Sequence, residues 1–167
     1  ENLARSVAEA LLSQNAVLLP PPEKFVAAGV YAIYYRGASS TYSRLVEANR
    51  SRPAELEIPI YVGKAVPKGT RKGGGLAGES PGTVLHDRLQ EHAESIASVA
   101  SLDIKDFWYR CLAVESVWIP LGETLLIRRF APLWNHVVEG FGNHDPGKGR
   151  HAGKRSDWDV LHPGRRW

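Results

Sequence analysis

The chain has no methionine, a single cysteine, and no apolar run approaching the roughly 20 residues that cross a bilayer. With Cys111 alone there is no internal disulfide, which favours a reducing compartment. Its place in an apolar, strand-like run makes it a core residue rather than a nucleophile. The N-terminus carries no secretory pattern. A cytoplasmic protein with no membrane partner is expected. A nucleotide cofactor is not: the glycine-rich run from Lys68 to Gly75 lacks the Gly-Lys-Ser/Thr ending of a phosphate-binding loop. Neither sign of charge dominates, with 21 Lys and Arg against 18 Asp and Glu. That balance alone points only weakly to a polyanionic partner.

What is present suits one folded domain. The chain has 167 residues, 43% hydrophobic and 23% charged, enough for a sizeable core and too apolar for disorder. Leu3, Val7, Ala10 and Leu11 recur at helical spacing within 2–14, and Pro20-Pro21-Pro22 then forms a stiff linker. Strand-forming runs follow at 29–35 (GVYAIYY) and 59–64 (PIYVGK). The insertion between them, 36–58, is too long for a tight hairpin, and Thr41 to Arg50 can form a short helix with Arg44 and Arg50 exposed. The spacing of Leu85, Leu89, Ala93 and Ile96 predicts a helix over 83–98, with Arg88 and His92 stacked at its border. A third strand is expected at 106–115, apolar on both faces, and a helix from Pro120 to about Phe130. Residues 136–167 read as a Gly-, His- and basic-rich tail with Trp158 and Trp167 as anchors. From Pro146 to Trp167 it holds six Lys or Arg against two Asp.

Several residues invite a chemical reading, each with a plainer one beside it. Tyr31 and Tyr61 are brought together by neighbouring strands, yet buried strand tyrosines are common core residues. Glu123 falls in line with Leu126, Ile127 and Phe130. A carboxylate there either complements the helix dipole, worth about 0.3–1 kcal/mol, or holds a hard cation such as Mg²⁺. The cluster Lys64, Lys68, Arg71 and Lys72 is either a solvated linker or a basic flap over a nucleic-acid backbone. His136, His144, His151 and His162 lack tight metal-ligand spacing and read as polar tail residues, with His144 and His151 open to contact with DNA.

Together, Gly29-Val30-Tyr31, Tyr61-Val62-Gly63, Arg88, His92, Glu123 and Asn135, in this order and on these element types, resemble the GIY-YIG nuclease superfamily. Val replaces Ile in both triplets, keeping a β-branched side chain. The resemblance covers about residues 29–135. It implies an α+β fold with a three-stranded antiparallel sheet flanked by helices, and Mg²⁺-dependent hydrolysis of DNA phosphodiesters, with Mn²⁺ able to substitute. It implies Glu123 as the single protein ligand of one metal, Arg88 on the scissile phosphate, and Tyr31 as general base with Tyr61 placing water or phosphate. It also implies His92 as a proton relay, Asn135 as a hydrogen-bonding brace, and Lys64 as the Lys that follows the second triplet in some members. A free phenol titrates near 10 and is a poor base unless Lys64, Arg88 and the metal favour its anion; otherwise His92, near 6.5, takes the proton.

The long insertion and the wording GVYAIYYRG and PIYVGKA are similar to the restriction endonucleases of the branch that cuts CCGCGG. A palindrome implies a two-fold homodimer on double-stranded DNA. Arg36, Arg44, Arg50, Lys68, Arg71, Lys72, Arg150, Lys154 and Arg155 are the candidate DNA contacts, to bases or to phosphates. A GIY-YIG nuclease of the repair or mobile-element kind and a non-catalytic DNA-binding module are the rivals.

Overall fold

The computed structural model describes residues 2–67, 80–147, 149 and 152–167. Lys68, Arg71, Lys72, Arg150 and His151 lie outside the described residues. The elements in chain order are α1 (Asn2–Leu12), β1 (Val17–Leu18), β2 (Gly29–Tyr35), α2 (Ser43–Arg50) and β3 (Tyr61–Ala65). They continue with α3 (Val84–Ala97), β4 (Phe107–Ala113), α4 (Ile119–Phe130), α5 (Leu133–His136) and α6 (Asp157–Leu161).

The sheet is antiparallel with strand order β1-β4-β2-β3. Three strands match the expected core; the two-residue β1 adds a fourth at the edge beyond β4. All seven residues of β2 are buried. A central strand covered on both faces needs no polar alternation, which is why GVYAIYY reads as one apolar run. Alternation then sorts the side chains. Tyr31, Ile33, Tyr61 and Ala65 face α3, packing with Leu85, Leu89, Ala93 and Ile96. Val30, Ala32, Tyr34 and Val62 face α1 and α4, packing with Ala8, Leu11, Ile119 and Leu126. Pro120 sits in the first turn of α4, and the helix ends at Ala131 in the left-handed conformation, just before Pro132.

The insertion is rigidly built. Buried Asn49 accepts from the backbone N–H of Glu57 (3.1 Å) and of Ile58 (2.8 Å) and donates to the Ile58 carbonyl (3.0 Å). Arg110, also buried, donates to the Gln14 carbonyl (2.9 Å) and to the Leu56 carbonyl, tying α1 and the insertion to β4.

Two expectations are corrected. Residues 136–167 are more than a basic tail: Phe141 and Trp158 lie in the core beneath β2 and α3. His162 is no polar tail residue but 3% exposed. Trp134 donates from Nε1 to the Tyr42 hydroxyl (2.9 Å), which bonds His162 Nε2 (2.5 Å), while His162 Nδ1 bonds Ser101 Oγ (2.7 Å). With every polar atom partnered, burying this imidazole is tolerable.

Candidate active site

The β2–β3 register sets Tyr31 opposite Gly63 and Ile33 opposite Tyr61. A Cβ at Gly63 would lie 2.4 Å from the Tyr31 hydroxyl oxygen. Glycine is therefore required for the phenol to cross the edge strand, which gives the last letter of Tyr61-Val62-Gly63 a steric meaning. The Tyr31 and Tyr61 rings stand 6.2 Å apart. Asn135, on α5, closes the edge: its Oδ1 accepts from the Val62 N–H (2.8 Å) and its Nδ2 donates to the Val62 carbonyl (2.9 Å).

Beneath the tyrosines, α3 supplies His92, whose Nε2 is 2.6 Å from the Tyr31 hydroxyl. His92 does not stand at the helix border; it is 1% exposed, and Tyr31 is 0% exposed. Burial pushes the Tyr31 phenol well above its ordinary range, and the nearby Tyr61 and Glu123 push the same way against the opposing Arg88 charge. Burial holds His92 well below its ordinary range, helped by the charges of Arg88, His144 and Arg165. Both groups are therefore neutral at rest, sharing one hydrogen bond between the phenol oxygen and Nε2.

Lys64 alternates to the opposite face of β3 from Tyr61, where its Nζ meets Glu123 Oε2 at 2.5 Å. Glu123 comes from α4, which covers that opposite face, yet its charge reaches round the edge strand and raises both Tyr31 and Tyr61. The buried side of α4 is formed by Ile119, Gly122 and Leu126, with Glu123 on its flank and 19% of its side chain exposed. The candidate residues thus converge from both faces upon the edge strand β3. Among the described residues no three His, Cys, Asp or Glu are grouped to hold a metal. Glu123 is one hard carboxylate already drawing a cation, a donor suited to Mg²⁺ that retains waters and takes phosphate oxygens as its other ligands.

Arg88 lies between the tyrosines and the C-terminal segment. Its Nη2 donates to the Gly142 carbonyl (2.5 Å) and its Nη1 to Glu91 Oε2 (2.6 Å), with His144 Nδ1 3.1 Å from Nη1. Phe141 stacks on His92, ring centroids 4.5 Å apart. An open cavity of about 630 Å³ adjoins them, lined by Arg88, His92, Phe141, His144, Arg165 and Trp167 among others. Glu91, Phe141 and Arg165 were not singled out from the sequence. The Gly140-Phe141-Gly142 triplet, an isolated aromatic between two glycines in a polar stretch, was the available signal.

A family model described as the Eco29kI GIY-YIG domain matches residues 23–167. The chain belongs to the Eco29kI GIY-YIG family. That is a restriction endonuclease family, so the protein carries a nuclease domain with DNA as its substrate. No curated protein matches the chain. The match begins between β1 and β2 and runs through the C-terminal segment, so Phe141, Trp158 and Arg165 fall inside the Eco29kI-type domain. None of the described helices is long and apolar enough to cross a membrane.

Five of the nine candidate DNA contacts are among the described residues. Arg36 is paired with Glu55 (3.1 Å) and Arg50 with Glu47 (3.9 Å), both exposed. Arg44, Lys154 and Arg155 are exposed. The remaining four, Lys68, Arg71, Lys72 and Arg150, are those outside the described residues.

Proposed function

We propose that the protein is a type II restriction endonuclease that hydrolyses double-stranded DNA at a palindromic site, CCGCGG, as a two-fold dimer requiring Mg²⁺. The observation that carries the reading is the buried Tyr31–His92 hydrogen bond beside Arg88, at the strand edge where Glu123 also arrives. An attacking water gives its proton to the Tyr31 oxygen as the Tyr31 proton passes to His92 Nε2. The new P–O bond forms as the ester bond on the opposite side of phosphorus breaks. Neither Tyr31 nor His92 need carry a net charge before the step, which removes the difficulty of a phenol acting as base at neutral pH. Arg88 offsets the charge on the phosphate oxygens, and Tyr61 helps to place the water or the phosphate. Glu123 would hold Mg²⁺, or Mn²⁺ in its place, which supplies charge neutralisation at the phosphate. Lys64 then shares or leaves the Glu123 oxygen. Asn135 keeps Tyr61 and Gly63 in register by bonding the residue between them.

Arg44, Lys154 and Arg155 are exposed and suit phosphate or base contact; Arg36 and Arg50 must exchange Glu55 and Glu47 for DNA. Plasmid digestion with Mg²⁺, with the ends sequenced, tests the reading. Discrete fragments ending at CCGCGG are expected; cutting confined to branched or damaged DNA would place the protein with repair nucleases instead. Glu123→Gln is expected to retain DNA affinity and lose cleavage, and a Glu123→Gln protein that cuts normally refutes the metal assignment.

A further inference from the structure

Arg165 lies near the C-terminal end, well beyond Asn135, yet its guanidinium makes four hydrogen bonds beside the site. Its side chain is 1% exposed. Nε and Nη2 clamp the two oxygens of Asp159 (2.6 and 2.8 Å), and the group stacks over Trp158, 4.5 Å from the ring centroid. The remaining donors turn toward the catalytic side: Nη1 to the Phe141 carbonyl (3.0 Å) and Nη2 to the Gly140 carbonyl (2.9 Å). Those carbonyls belong to the segment whose next carbonyl, Gly142, accepts from Arg88 and whose Phe141 ring stacks on His92.

We propose that Arg165 is a positioning residue for DNA cleavage, setting the Gly142 carbonyl against Arg88 and the Phe141 ring against His92 through the backbone it grips. The inference rests on the nuclease reading above. A planar fork is needed because one side chain must satisfy a carboxylate on one side and two carbonyls on the other; lysine keeps the charge and loses that geometry. Asp159, itself held by Ser156 Oγ at 2.6 Å, fixes the fork in turn. The effect on chemistry is geometric: a misplacement of about 1 Å in a substrate-positioning group can cost 10²-fold in rate.

The test is single-turnover cleavage of a plasmid carrying CCGCGG, with protein in excess and Mg²⁺ present, beside DNA affinity measured without divalent metal. Arg165→Lys is expected to cut about 10²-fold more slowly while its DNA Kd changes less than about threefold. Asp159→Asn repeats the test if Arg165→Lys fails to fold, since it keeps the shape of the group that clamps the fork and removes one of the charge-assisted bonds that fix it. A double-mutant cycle separates positioning from general stability. Combined with Arg88→Lys, either change should add little further loss, whereas independent effects would multiply. Multiplying losses, or single variants that cut at the wild-type rate or faster, overturn the proposal. Should the unaltered protein cut no DNA at all, the nuclease reading falls and takes this inference with it; active variants beside an active wild type defeat the inference alone.

Discussion

Replacing Asn135 by Ala tests the strand-edge brace and the site together. The side chain makes two bonds, accepting from the Val62 N–H at 2.8 Å and donating to its carbonyl at 2.9 Å. Each neutral hydrogen bond contributes about 0.5–1.5 kcal/mol net, so both together contribute about 2 kcal/mol. Val62 is fully buried, which would raise the cost if its polar groups stayed dry, but Asn135 is half-exposed and its truncation lets water in. The central figure therefore stands. For a chain of this length it corresponds to a fall of about 4–8 °C in Tm. Urea and thermal melts measure the stability; single-turnover cleavage of plasmid DNA measures whether Tyr61 and Gly63, on either side of Val62, have moved. Asn135→Asp makes the comparison sharper. It keeps an acceptor for the Val62 N–H but sets a carboxylate against the Val62 carbonyl, so at neutral pH it should be no more stable than Asn135→Ala. A loss below about 0.5 kcal/mol in both variants, with cleavage unchanged, would refute the claim that this amide holds the edge.

Three further outcomes follow from the geometry. Gly63→Ala should fold yet cut DNA about 10²-fold more slowly, because the added methyl displaces the Tyr31 phenol that would lie 2.4 Å away; wild-type rates would remove the steric account of this glycine. His92 and His162 are both held below their ordinary range by burial, so the unfolded chain binds protons that the folded one refuses. The stability they permit is fully present above the unfolded value of about 6.5 and is lost as pH falls from there toward their lower folded values, so urea midpoints should drop between pH 8 and pH 5. A flat or rising profile contradicts it. His162→Gln, which cannot be protonated, should flatten part of this slope even though it weakens the Tyr42–Ser101 link; an unchanged slope would mean that His162 titrates as freely in the fold as outside it.

Much of the sheet was legible because its cause is local. The run at 29–35 is apolar on both faces, that at 61–65 is so apart from Lys64, and Pro120 and Pro132 bracket a helix by chain stereochemistry. The site was legible only as an ordered set of residue types, because its members meet across long separations: Tyr31 with His92, Lys64 with Glu123, Asn135 with Val62. Nothing in the periodicity of α3 reveals whether His92 at the margin of the Leu85–Leu89–Ile96 stripe is buried; its partner 61 residues earlier decides that. The C-terminal segment was misread for a related reason. Glycine, histidine and arginine read as solvated tail, but Arg165 reaches back to Asp159, Phe141 and Gly140, and that pairing has no sequence period to betray it.

The charges around the Tyr31–His92 pair give the proposed reaction a dependence on its own substrate. At rest, transfer of the phenolic proton is opposed from both ends: burial and Glu123 disfavour the Tyr31 anion, and burial with Arg88 disfavours the His92 cation. A DNA phosphate arriving at Arg88 brings negative charge that offsets the repulsion suppressing the His92 cation, while it also withdraws part of the Arg88 charge that favours the Tyr31 anion. Neutralising Glu123 removes one of the charges that suppress the Tyr31 anion. In the proposed relay the Tyr31 oxygen regains a proton from the water as it gives one up, so the charge left on the pair is the His92 cation, which the phosphate favours. In the proposed reaction this would leave the Tyr31–His92 pair inactive until DNA arrives. It also predicts that phosphate occupancy at Arg88 and charge at Glu123 act on the same step, so weakening both in one variant should slow cleavage by less than the product of the single losses.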